Sequence, residues 1–200
     1  MDESASNERT AERRWGWSVK GKPCRVKRSA KRSKRWSILP ALTIDGYMDW
    51  EIYQDSFTKV RFNAFIKKIL LHMQPSPLPR SVLIMDNHSI HHSEELTEMC
   101  VAAGVILLYL PPYSPIFNPI EQSFAQLKSW MRRNHRVADF YAKDFEGFIR
   151  LALSNVMVGR NAAAGHFRAC GYEPLDLDDD NDDVHEHQES DSEWDHSDSE

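Results

Sequence analysis

The stretch "SVLIMDNHSIHHS" (residues 81–93) decides the fold. Val82 to Met85 form an unbroken apolar run of strand length, and the run ends on Asp86, Asn87 and His88. A run without alternation suits a strand buried on both faces, as in a parallel or mixed sheet. Beyond it, Ser93 caps a predicted helix, "EELTEMCVAAG", which stops at Gly104, and "VILLYLP" (105–111) then reads as a second buried strand. Strand, helix and strand in this order predict an α/β domain.

Further out, "WSILPALTIDGYMDWEIYQDS" (36–56) carries two β-rich runs around Asp45-Gly46, a hairpin signal. Phe57 to Met73 predicts a helix with Val60, Phe62, Phe65, Ile66, Ile69 and Leu70 on its apolar face. On the other side, Pro111, Pro112 and Pro115 stiffen "PPYSPIFNP" into an extended loop. Asn118 is placed to cap the next helix, with Pro119 at its first position. Ile120, Phe124, Leu127 and Met131 share one face of that helix, and a further helix is expected over roughly 138–158.

Charge divides the chain. Residues 173–200 hold 14 Asp and Glu and no Lys or Arg, which leaves 25 basic against 16 acidic residues in 1–172. A body of net charge +9 points to a polyanionic partner and away from a neutral metabolite. Residues 9–35 concentrate 12 of the cations, including Lys27, Arg28, Lys31, Arg32, Lys34 and Arg35. They read either as a solvated segment or as phosphate contacts and a nuclear import signal. Lys128, Arg132 and Arg133 offer a second basic face. The acidic, apolar-poor tail is expected to be disordered. No run approaches the roughly 18 apolar residues of a membrane helix. Cys24, Cys100 and Cys170 have no pairable or zinc-like spacing, so reduced thiols are expected.

Three acids stand at element ends: Asp2, Asp86 and Glu121. The 34 residues between the last two hold a helix, a strand and the proline loop, enough for the chain to return beside its start. Carboxylate oxygens suit Mg²⁺ or Mn²⁺ rather than zinc. Two such ions about 3.5–4 Å apart can serve an in-line phosphodiester displacement. The plainer alternative is a turn Asp and a helix-start Glu favoured by the helix dipole.

"DES…NERT…R…GW", "LIMDNHSIHHS" and "LPPYSPIFNPIEQSFAQLK", in this order, resemble the catalytic domain of mariner-like and insertion-sequence DDE transposases, the DDE superfamily endonucleases. The resemblance runs from Asp2 to about Asn134. It implies a ribonuclease-H-like fold, a mixed central sheet flanked by helices, over 1–172. It also implies that Asp2, Asp86 and Glu121 are catalytic and hold two Mg²⁺ or Mn²⁺ ions. Asn87, His88, Pro112, Tyr113, Asn118 and Pro119 would shape the surrounding loops.

The implied chemistry is nicking at transposon ends followed by attack of the freed 3′ hydroxyl on target DNA. The partner is then DNA, with a homodimer possible and no membrane or small-molecule substrate. The expected location is the nucleus in a eukaryote, or otherwise the cytoplasm or nucleoid. The chain starts one residue before Asp2, so most of the family's first strand and its helix-turn-helix region are expected to be missing, leaving Asp2 on a frayed end. The alternative function is therefore a non-catalytic remnant that binds nucleic acid or protein.

Overall fold

The computed structural model describes residues 1–12, 16–25, 34–88, 91–156 and 160–173. Lys27, Arg28, Lys31, Arg32 and the acidic tail beyond Glu173 lie outside the described residues.

Among the described residues, five strands form two hydrogen-bonded groups. β1 (Ser4–Ser6), β2 (Trp36–Thr43) and β3 (Gly46–Gln54) make an antiparallel sheet in that order. β4 (Val82–Met85) and β5 (Ile106–Tyr109) pair in parallel, Val82 opposite Ile106 and Met85 opposite Tyr109. The expected mixed set of strand directions is present, with its hydrogen bonding in two parts. Asp45-Gly46 makes the foreseen hairpin: Thr43 pairs with Gly46, whose φ of 127° only glycine adopts without strain.

β2 separates two cores. Leu39 and Ala41 pack with Phe62, Phe65, Ile66 and Ile69 of α1 (Lys59–Leu70), with Leu96 and Cys100 of α2 (Glu94–Ala102), and with Leu83 and Met85. Ile38, on the opposite face, packs with Leu127 and Met131 of α3 (Pro119–Arg133), Phe148 and Ile149 of α5 (Phe145–Val156) and Ala163 of α6 (Arg160–Ala169). The period of two in a strand thus places helical layers on both sides.

The caps explain where the helices begin. The hydroxyl of Ser93 accepts from Leu96 N–H at 3.2 Å, as its position predicts. The expected helix from 138 begins later. A short α4 (His135–Phe140) comes first, and Asp144 Oδ1 then accepts from Gly147 N–H at 2.9 Å to start α5. The sequence pattern did not announce α6.

Two burial expectations are corrected. Val60 is 80% exposed, outside the buried stripe of α1. The parallel strands are buried on one face rather than two: Val82, Ile106 and Leu108 are 44%, 48% and 46% exposed. An apolar cavity of about 630 Å³ lies between residues 41–45 and 81–84. The Met1 ammonium reaches Ile84 O at 2.7 Å across this gap, joining the two strand groups where Asp2 follows.

Candidate functional site

Asp2, Asp86 and Glu121 line a single cavity of about 410 Å³, with Asn87, His88, Pro112, Tyr113 and Asn118 also in its wall. Each acid comes from a different part of the fold. Asp2 precedes β1, Asp86 follows β4, and Glu121 lies in the first turn of α3, where Pro119 needs no hydrogen-bonded N–H and the helix dipole favours an acid.

Asp2 is anchored, which corrects the expectation of a frayed end. Its Oδ1 accepts from Glu3 N–H at 2.6 Å and its Oδ2 from the Asn118 side-chain amide at 3.2 Å. Asn118 therefore occupies the cap position of α3 without capping it through its side chain, because that amide is turned to Asp2. Burial, and then the negative charge of Asp86, push the Asp2 carboxyl up to about 6.

Asp86 shifts the other way. His91 beside it holds its carboxyl below the ordinary value, against the effect of burial. His91 Nε2 stands 3.1 Å from Asp86 Oδ1, an ion-pair distance, yet that buried oxygen has no aligned hydrogen-bond donor among the described residues. By sequence alone, His91 and His92 read either as phosphate contacts or as exposed histidines at a helix start. The structure buries His91 at 4% exposure, with its ring 4.6 Å from Phe62 and its carbonyl accepting from Tyr109 O–H at 2.8 Å. The one signal in the sequence was its position five residues after a strand-end acid. His92 instead stacks on Tyr109 at 4.2 Å and meets Asn87 Oδ1.

The rim is aromatic and stiff. Tyr113 is fully exposed with φ 56°. Lys128 and Arg132 line a separate polar cavity, whereas Arg133 is exposed outside it. Lys34 and Arg35 are exposed and line neither cavity.

A hard divalent cation fits the chemistry of this donor set: three carboxylates facing one cavity, one of them with a buried oxygen lacking a donor. They are not drawn together around a common point. Among the described residues no three His, Cys, Asp or Glu side chains are grouped closely enough to hold an ion as they stand.

Residues 1–142 match the family described as DDE superfamily endonuclease. A search of curated proteins finds no significant match. Among solved structures, the Mos1 strand transfer complex matches with a TM-score of 0.53 at 14% identity, over 86% of this chain and 54% of that one. The mariner Mos1 paired end complex with Mg gives 0.53 at 14%, over 86% and 55%. The Mos1 paired-end complex with the left transposon end gives 0.51 at 13%, over 86% and 55%. The chain thus spans about half the length of the Mos1 transposase and shares its ribonuclease-H-like fold. With the family matched over most of its length, the chain belongs to the DDE superfamily endonucleases.

Proposed function

We propose that the chain is a transposase-type catalytic domain that cleaves and joins DNA strands, with Asp2, Asp86 and Glu121 as oxygen ligands for Mg²⁺ or Mn²⁺. The observation that carries this reading is the lining of one cavity by all three acids from separated parts of the sequence. Bound cations would supply charge stabilisation to the attacking and departing oxygens of a phosphodiester.

The chain's own groups prepare that place. Asn118 orients Asp2 and His91 keeps Asp86 ionised, while the Pro111–Pro115 loop and Tyr113 shape the wall along which a strand would lie. The basic body, Lys128 and Arg132 included, supplies attraction for the phosphate backbone. The DNA in the Mos1 complexes with transposon ends supports the same partner class for this chain.

The test is nicking of supercoiled plasmid in Mg²⁺ or Mn²⁺, compared with Asp86→Ala. Loss of nicking in the variant alone supports the proposal. Absence of nicking, together with a melting temperature that does not respond to either cation, refutes it. That second outcome would favour a non-catalytic DNA- or protein-binding module, a reading to which the incomplete convergence of the acids gives weight.

A further inference from the structure

The acid cavity leaves unexplained a second polar concavity of about 420 Å³ on the same molecule. Its wall holds Arg9, Asn7 and Thr10 from the 3-10 turn at Glu8–Ala11 and its cap, and Lys128 and Arg132 from α3. Three cations from two elements face this space, against the single carboxylate of Glu12. No ion pair among the described residues includes Arg9, Lys128 or Arg132. The turn is fixed locally: Asn7 N–H donates to Thr10 Oγ1 at 3.0 Å, and Thr10 N–H to Asn7 O at 2.8 Å. The cup is thus preformed and its positive charge is uncommitted.

Helix geometry relates the cup to the acids. Lys128 and Arg132 follow Glu121 by seven and eleven positions, intervals that return a helix of 3.6 residues per turn to within about 20° of the same face. One stripe of α3 therefore carries the carboxylate and then both cations, whereas Arg133 falls about 120° away from Glu121. At about 1.5 Å per residue the cations stand about 10 and 16 Å along the axis from Glu121. At about 3.4 Å of duplex axis per nucleotide, that is about three to five nucleotides.

We infer that Arg9, Lys128 and Arg132 form a phosphodiester-binding cup that holds a DNA strand about three to five nucleotides from the bond placed over the acids. The inference rests on the reading of the chain as a DNA-acting domain. It adds Arg9, from the opposite wall, to the groups that meet phosphate and assigns the cup a fixed distance from the chemistry. Asn7 and Thr10 give the cup polar walls without adding charge.

The probe is a blunt duplex of random sequence, with affinity measured against salt. In Lys128→Gln/Arg132→Gln, and separately in Arg9→Gln, the slope of log K against log salt should flatten by about 0.9 for each phosphate that is no longer neutralised. Lys143→Gln, which removes one charge as Arg9→Gln does but from an exposed residue elsewhere, should leave the slope unaltered. Lys128→Arg/Arg132→Lys keeps the charge and should retain the parent slope, which separates removal of charge from damage to the helix. Slopes equal to the parent's in the Gln variants would overturn the cup.

Position is read with neutral methylphosphonate linkages walked from the nicked bond. A loss of affinity or nicking confined to the third to fifth linkages with the parent protein, and absent in Lys128→Gln/Arg132→Gln, supports the assignment. A loss at other positions overturns it. The two proposals fail differently. Flattened slopes without any nicking leave the cup standing and remove the catalytic reading, whereas Asp86-dependent nicking with unaltered slopes does the reverse. A parent protein that does not bind the duplex overturns both.

Discussion

Asn118 donates its side-chain amide to Asp2 across 116 residues of sequence, at 3.2 Å, from the position where it would otherwise cap α3. The first acid and the helix of the third are thereby set in one frame. If Asp2 serves as the proposed cation ligand, Asn118→Ala should weaken Mg²⁺ or Mn²⁺ binding by about 10–100-fold, the usual effect of removing a group that orients a metal ligand. Titration of Mn²⁺ by electron paramagnetic resonance gives the affinity directly. An affinity equal to the parent's would show that the amide does not position Asp2.

Asp2 also predicts a pH response. Its carboxyl keeps a proton to about pH 6 when folded and to the ordinary 3.8 when unfolded. Between those values the folded state binds more protons, so this group's contribution is full below 3.8 and is lost as pH rises through 6. Without metal, Asp2→Asn should therefore stabilise the protein at pH 8 by about 3 kcal/mol and give no gain at pH 3.5. Chemical denaturation at the two pH values measures the difference; a gain of equal size at both would dismiss the linkage.

His91 acts on Asp86 with the opposite sign. A depressed carboxylate contributes stability above its unfolded pKa of 3.8 and loses it as pH falls through the lower folded value. His91→Gln removes the ring partner of Asp86 and of Phe62 and should cost about 1–3 kcal/mol at neutral pH. The cost should shrink in acid. A loss that stays constant down to about pH 2.5 would assign the role of His91 to packing alone.

Tyr47 ties the hairpin to the helix of Glu121. Its hydroxyl donates to Ser123 Oγ at 3.0 Å, and Ser123 in turn donates to Ile120 O at 2.6 Å in the first turn of α3. Burial pushes the Tyr47 phenol up to about 12, against the hydrogen bond to Ser123, so it stays a donor through the neutral range. Tyr47→Phe should lower stability by about 0.5–1.5 kcal/mol. An unchanged thermal midpoint would mean that the bond contributes nothing net.

Much of this was legible where local chemistry acts alone. Asp45-Gly46 specifies its hairpin through a backbone angle that glycine permits, and Ser93 specifies the start of α2 through one hydroxyl. The three acids were visible because each ends or begins an element. Residues whose role depends on a distant neighbour were not legible. His91 reads as one histidine of a polar run until Phe62 and Tyr109 close over it. Asn118 reads as a cap until Asp2 takes its amide. The exposure of Val82, Ile106 and Leu108 depends on what lies beside the sheet, which an apolar run does not encode. "RNAAAGHFRA", the sequence of α6, offers mostly small side chains, and its apolar face, with Ala163 at its centre, is built of residues too small to stand out, so its helix escaped notice.

Because β2 turns Ile38 toward one helical layer and Leu39 toward the other, the two layers share a single wall. A shared wall denies each layer a private unfolding route: prying α1 and α2 loose strips the support beneath α3 and α5 as well. Amide protons of β2 should accordingly exchange at the rate of whole-molecule opening, whereas those at the exposed ends of the helices escape sooner.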